Sequence, residues 1–268
     1  MKTIVVTGGT RGIGRGLVES VLERGCSVVL TGRSLEAAQE AATELAATHG
    51  EDRVFGTACE LADSQSIENL WAFALESLGR VDVFINNAGV STKRGPIWKQ
   101  TPEELALVAN TNLLGPLYIS RAVIGGMIEQ GGGQLWLMEG FGSNGQVQPG
   151  IAAYGATKRA VRYLVKALVK DTEETPVQVC ALTPGIVVTD LLVGDYDQGS
   201  EEWERAKKFF KILGDRVETV TPWLADQVLA TDKTGSTVEW LTRGKAAGRF
   251  ATAWRGRDPF EEPEAEAG

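Results

Sequence analysis

The chain has 268 residues, 43% of them hydrophobic, a length at which a single α/β domain with a good-sized core is common. No apolar run reaches the roughly 18 residues of a membrane helix, one histidine (His49) argues against a His-built triad or metal cluster, and no basic stripe points to nucleic acid. Net charge is −8, but five acids (Asp258, Glu261, Glu262, Glu264, Glu266) lie in the last eleven residues, so residues 1–257 hold only −3.

In chain order, strands are expected near TIVVTG, SVVLTG, RVFGTAC, VDVFIN, GQLWLM, VQVCAL and STVEWL. Between them lie helical patterns near 12–24, 34–48, 64–79, 101–130, 152–171 and 201–213. Strands alternating with helices imply right-handed crossovers and a parallel sheet covered on both faces. The first strand starts almost at Met1, with no signal or transit peptide before it, so a cytoplasmic location is expected. Cys26, Cys59 and Cys180 are far apart in apolar runs, the pattern of buried free thiols in a reducing compartment. One domain is expected over 1–257, followed by a disordered acidic tail over 258–268.

The first strand runs into TGGTRGIGRG and then a helical pattern. Glycines at that turn permit a tight bend, close approach of backbone to a pyrophosphate, and close helix–strand packing. The helix N-terminus presents N–H groups to phosphate. The loop residues Gly8, Thr10, Arg11, Gly12, Ile13 and Gly14 are therefore a candidate dinucleotide site. This makes the expected fold a Rossmann-type, doubly wound parallel sheet of about seven strands. The second strand ends in Thr31, Gly32, Arg33 and Ser34, with no carboxylate for an adenosine ribose. Arg11 and Arg33 suit the extra phosphate of NADP(H). They could equally be two solvated surface arginines.

Tyr154 opens the pattern AAYGATKRAVRYLVKALV, and Lys158 follows four residues later on the same helix face. A nearby ammonium favours phenolate. The phenol can then give a proton to a carbonyl oxygen, or take one in reverse. By itself the pair could be an ordinary helix face.

TGGTRGIG, NNAG, NLLG, YGATK and PGIVVT fall in this order along the chain. With these landmarks, about residues 3–245 resemble the short-chain dehydrogenase/reductase family. The resemblance implies an NADP(H)-dependent oxidoreductase. It implies that Asn86, Asn87, Ala88 and Gly89 line the nucleotide and steady the sheet, and that Asn112 holds a water chain to Lys158. It implies that Lys158 binds the nicotinamide ribose and lowers the pKa of Tyr154. Pro184, Gly185, Val187 and Thr189 would contact the nicotinamide. Glu60 and Leu61 stand where the family often has an aspartate beside the adenine, so that contact is open.

One departure stands out. Most of this family end the fifth strand in a serine that bonds the substrate carbonyl; here Glu139 and Gly140 occupy the aligned positions. Three readings are open. Ser143 swings in as the donor; backbone N–H groups of the Gly140–Gly145 turn replace it; or the site only binds a nucleotide. MEGFGSNG, AAYGATKR and PGIVVTDLL resemble the chlorophyll b reductase subgroup. That resemblance implies NADPH-dependent reduction of the 7-formyl group of chlorophyll(ide) b, with a generic carbonyl reductase as the alternative. It places Glu139, Gly140 and Phe141 on the substrate side, with Gly140 leaving room for a flat macrocycle.

Residues of about 190–215 would form the substrate lid. Trp203, Ala206, Phe210 and Leu213 make one apolar helical face, which is either a greasy lid or a packing face. Trp98, Trp203 and Trp223 are placed in loop or lid regions. The expected partners are a chlorin pigment and, by resemblance, further copies of the chain in a dimer or tetramer. A peripheral contact with a membrane or pigment–protein is compatible with this.

Overall fold

All seven expected strands pair in parallel in one sheet, in the order β3-β2-β1-β4-β5-β6-β7. They are β1 (Thr3–Val6), β2 (Ser27–Gly32), β3 (Val54–Ala58), β4 (Val83–Asn86), β5 (Gly133–Met138), β6 (Val177–Thr183) and β7 (Thr237–Glu239). This is a computed structural model; it describes residues 1–194 and 196–261. Each strand sends alternate residues to opposite faces. Ile4, Val6, Val28, Leu30, Val83, Ile85, Trp136, Met138, Cys180 and Leu182 face one apolar layer. Val5, Val29, Phe84, Leu135, Leu137, Val179 and Ala181 face the other. Both faces are buried, so the strands read as near-continuous apolar runs.

Helices α1 (Gly12–Glu23), α2 (Leu35–His49) and α9 (Val217–Ala230) cover the first face. Helices α3 (Ser64–Leu78), α5 (Gly115–Glu129) and α6 (Ala152–Asp171) cover the second. Gly16 sits where α1 crosses α9; a Cβ there would lie 2.5 Å from Val217 and 2.6 Å from the Thr221 hydroxyl. The three cysteines are buried free thiols, and burial pushes Cys59 and Cys180 up to about 11.

The single helix expected over 101–130 is instead α4 (Pro102–Ala109) and α5, joined by a π-turn at Asn110–Leu114. Pro116 has no N–H to return to Asn112, and the Gly115 N–H reaches back to the Asn110 carbonyl. Helix α9 was not foreseen, because its first half, VETVTP, is β-branched and ends in Pro222. Two shorter helices were also missed, α7 (Asp190–Val193) and α10 (Arg243–Ala251), while α8 (Glu201–Leu213) lies where expected.

The start of the expected tail is held against the domain. Asp258 pairs with Lys211, and the Phe260 ring lies 5.8 Å from that of Trp203. Glu262, Glu264 and Glu266 lie outside the described residues. No described helix is long and apolar enough to cross a membrane.

Candidate active site

The strand order reverses beside β1, which lies between β2 and β4; open parallel sheets take their ligands in the crevice at the carboxyl ends of the strands at such a point. Gly8 (φ 66°) and Gly12 (φ 56°) turn the chain from β1 into α1 in a conformation that side chains disfavour. A Cβ on Gly14 would overlap the Gly8 carbonyl oxygen. The Thr7 hydroxyl donates to Asn86 Oδ1 (3.1 Å) and accepts from the N–H groups of Asn87 and Ala88. Asn87 Nδ2 donates to the carbonyls of Thr7 (3.0 Å) and Gly8 (3.2 Å). The loop is thus a bare-backbone cradle at a helix N-terminus, which fits a pyrophosphate.

Around the cradle, Arg33 is exposed just before Ser34, which caps α2. Arg11 is exposed and reaches Asp190 at 3.5 Å, across the crevice. Thr10 packs against Gly32, and Ile13 leans on the core. Glu60 is exposed and accepts from the Ala62 N–H at 3.0 Å. Leu61 is a core residue against α5, so only its backbone can face a nucleotide.

The loop after β6 closes the far side. Pro184, Gly185, Val187 and Thr189 lie there, with Thr189 touching the space above Gly12. Residues 186–188 make a short parallel bridge to Asp215: the Val188 N–H donates to the Asp215 carbonyl, and the Asp215 N–H to that of Ile186. The Asp215 carboxylate is buried and accepts from Trp240 (2.6 Å), Arg249 (2.7 and 2.8 Å) and Arg257 (2.7 Å).

On α6, Tyr154 and Lys158 face the end of β5, with the Lys158 Nζ 5.7 Å from the tyrosine ring centroid. Lys158 is buried and donates to the Met138 carbonyl at 3.1 Å. Burial lowers it to about 8, with the Glu139 charge opposing. Asn112, carried inward by the π-turn, grips Val90 from both sides: its Oδ1 accepts from the Val90 N–H (2.9 Å) and its Nδ2 donates to the Val90 carbonyl (2.7 Å). A Cβ on Gly89 would lie 3.3 Å from Asn112 Oδ1 and 3.7 Å from Lys158 Nζ, so all three meet at one point.

The strand end is arranged differently from the expectation. The Glu139 side chain is turned into the protein. It is 3% exposed and accepts from Ser143 (2.9 Å), Thr183 (3.3 Å) and Arg162 (3.4 Å). The Ser143 hydroxyl therefore gives its hydrogen to a buried carboxylate, and its N–H goes to the Gly140 carbonyl, so that hydrogen is already engaged within the protein. Nor does Gly140 leave open room for a macrocycle. A Cβ there would lie 2.5 Å from the Tyr154 hydroxyl, so the tyrosine already fills that space. Phe141, by contrast, is 38% exposed. It lines an open cavity of about 310 Å³ with Val147, Ile151, Gly155 and Arg159.

Arg162 and Thr183 were not singled out from sequence. Arg162 had a signal, being four residues beyond Lys158 on the same face of α6. Thr183 and Asp215 had none, since their partners lie far away in the chain.

In the segment expected to form the lid, Trp203, Phe210 and Leu213 are buried. The Trp203 ring packs on Tyr196 (5.6 Å) and Phe260 (5.8 Å). The apolar face of α8 is thus a packing face, and what it exposes is Phe209, against Phe250 of α10. Trp223 is neither loop nor lid; it sits in α9 against Trp240 at 5.3 Å. Trp98 is exposed in a single 3-10 turn, Ile97–Lys99.

Comparison with known proteins agrees with this geometry. Residues 2–198 match the short chain dehydrogenase family. The chain is 34% identical over 238 residues to the chloroplastic chlorophyll(ide) b reductase of Arabidopsis thaliana called NOL, covering 87% of this chain and 67% of that protein. It is 31% identical over 274 residues to the probable chloroplastic chlorophyll(ide) b reductase of the same plant called NYC1, covering 96% of this chain. The chain spans only 54% of that relative's length. Among solved structures, an alcohol dehydrogenase from the archaeon Thermococcus sibiricus, complexed with 5-hydroxy-NADP, superimposes with a TM-score of 0.74 at 23% identity, over 99% of this chain and 100% of that one. The crevice, the glycine cradle and the Tyr154–Lys158 pair therefore sit in a chain that belongs to the short chain dehydrogenase family.

Proposed function

We propose that this protein is an NADPH-dependent reductase of the formyl group of chlorophyll b or chlorophyllide b, yielding the 7-hydroxymethyl pigment. The observation that carries the chemistry is the buried Lys158 beside Tyr154 at the end of β5. The substrate rests on the two plant relatives, whose names state that activity.

The residues fit a dinucleotide. Gly8, Gly12 and Gly14 leave backbone exposed to a pyrophosphate, and Lys158 and Thr189 border the nicotinamide end. Arg11 and Arg33 suit the 2′-phosphate of NADPH. The bound cofactor supplies hydride to the carbonyl carbon. Tyr154 gives its hydroxyl proton to the carbonyl oxygen. The Lys158 ammonium favours the phenolate left behind. With the Ser143 hydroxyl engaged by Glu139, the second hydrogen bond to that oxygen comes from backbone amides of the Gly140–Gly145 turn. Asn112, clamped on Val90, steadies the floor beneath Lys158. Two or more copies associate through α5 and α6, where Leu117, Ile128 and Tyr163 are exposed.

One observation favours a second reading, a reductase of smaller carbonyls. The cavity beside Phe141, about 310 Å³, is at the lower end of the roughly 300–1,000 Å³ of ligand pockets. Spectrophotometry of chlorophyllide b with NADPH separates the two. The proposal expects the formyl pigment's absorbance to give way to the blue-shifted hydroxymethyl product. Turnover confined to small ketones and aldehydes would replace it with the second reading. NADPH binding with no turnover of either class would make the protein a nucleotide-binding module.

A further inference from the structure

One buried acid has no part in the proton and hydride steps. Glu139 closes β5 at 3% exposure, and a carboxylate taken out of water is costly unless paired and hydrogen-bonded. Leu135 and Leu137 face α6, and the alternation carries residue 139 to the same side. There one carboxylate oxygen, Oε2, accepts from Ser143, Thr183 and Arg162. Lys158 and Arg162 are one turn apart on α6. Lys158 reaches the Met138 carbonyl at 3.1 Å, and Arg162 reaches the carboxylate of the next residue at 3.4 Å. The Arg162 side chain is 34% exposed, so water screens much of its charge, while Lys158 is buried.

We infer that Glu139 is a positioning residue: it is the fixed counter-charge that keeps Lys158 an ammonium beside Tyr154, with Ser143, Thr183 and Arg162 holding its carboxylate in place. The charged groups at this spot are Glu139 from just past β5 and Arg159, Lys158 and Arg162 from α6, beside the Tyr154 phenol. Arg159 is turned to the Ser143 carbonyl at 2.9 Å. The elements packed opposite present Asn112, Val90 and Thr183.

The sign follows from the arrangement. Burial drives Lys158 toward the neutral amine, and the Glu139 charge opposes that. Glu139→Gln keeps an acceptor for Ser143 and Thr183 but removes the charge and leaves Arg162 unopposed. Lys158 should then lose its proton at lower pH. Arg162→Met does the reverse, leaving Glu139 less neutralised, so Lys158 should hold its proton to higher pH.

The test is a pH titration of lysine 13Cε resonances in the protein without cofactor or substrate, with Lys158 assigned by its loss in Lys158→Met. The wild-type midpoint is expected at about 8. It should fall by about one pH unit in Glu139→Gln and rise in Arg162→Met. An unchanged midpoint in Glu139→Gln, or shifts of the same sign in both variants, would overturn the inference. Should Glu139→Gln not fold, Arg162→Met alone decides, because a fall or no change there contradicts it. The effect on rate rests on the proposed Tyr154–Lys158 chemistry, and the alkaline limb of kcat/KM should move with the midpoint. Midpoints that move while the rate profile stays fixed uphold the Glu139 role and refute the proton-transfer reading.

Discussion

The two sides of the crevice are built by different means. The side proposed to hold the nucleotide is backbone: the TGGTRGIGRG stretch, where the turn after β1 runs into α1, pinned by Thr7 and Asn87. The side proposed to be catalytic is side chains gathered from afar: Asn112 from a π-turn, Glu139 from just past β5, Lys158 and Arg162 from α6, Thr183 from β6. Backbone sites are written in local glycine spacing and tolerate no Cβ. Side-chain sites depend on register between elements and tolerate some exchange of residue types. That is how the strand-end serine of many relatives can be absent here while tyrosine and lysine stay in place.

If the division is real, the two halves should fail separately. Tyr154→Phe should lower kcat by about a thousandfold, within the roughly 10²–10⁴ that general acid catalysis supplies. Nucleotide affinity, read by quenching of tryptophan fluorescence, should stay near wild type. Gly14→Ala should abolish nucleotide binding, and turnover with it, because its methyl would overlap the Gly8 carbonyl, yet leave the Lys158 titration midpoint at its wild-type value. Loss of nucleotide affinity in Tyr154→Phe, or a moved Lys158 titration midpoint in Gly14→Ala, would show one coupled site and not two halves.

Gly140→Ser sharpens the contrast. Adding the side chain that most of the family carry should lower kcat/KM about a hundredfold, not raise it, because the new Cβ would stand 2.5 Å from the Tyr154 hydroxyl and displace the ring. Steady-state kinetics with an accepted aldehyde reads this directly. A gain in rate would mean that Tyr154 moves aside easily and that the glycine is incidental.

Legibility followed the same line. All seven strands were readable, because two-sided burial makes short β-branched runs, and the glycine loop was readable because its constraints are local. The break at Asn110–Leu114 hinged on Pro116 withholding an N–H, a signal present in the sequence but masked by apolar residues on both sides. Helix α9 was hidden by Pro222 and its β-branched start; α1 packs on it nonetheless, through Gly16. Glu139 was assigned to the substrate from its motif position, whereas the strand's own alternation, Leu135 and Leu137 then 139, already pointed it at α6. Asp215 and its arginines could not be read, since 34 and 42 residues separate the partners.

That Asp215 cluster offers a stability test between the larger and smaller effects. It fastens the C-terminal segment to the loop after β6, and Arg249 is nearly as buried as the acid, with side chains 11% and 1% exposed. Removing one partner from a buried ion pair costs about 3–5 kcal/mol. Asp215→Asn should therefore lose stability on that scale in urea denaturation. A loss below about 1 kcal/mol would place the cluster with surface ion pairs, and the C-terminal segment would not be fastened through it.

The smallest effect tests the exposed edge of the nucleotide side, where side chains and not backbone set the choice. Arg33 follows β2 with its head in water, so its pairing with a 2′-phosphate is screened and should contribute modestly. Arg33→Ala should weaken NADPH about tenfold, the effect of roughly 1.4 kcal/mol, and leave NADH nearly unchanged, because only NADPH carries the phosphate that the guanidinium would meet. The difference should shrink as salt rises from 50 to 500 mM, on the order of the Debye screening of an exposed pair. Equal losses for both nucleotides would mean that Arg33 holds the loop and not the phosphate. The choice of cofactor would then fall to Arg11, which shares its guanidinium with Asp190 across the crevice.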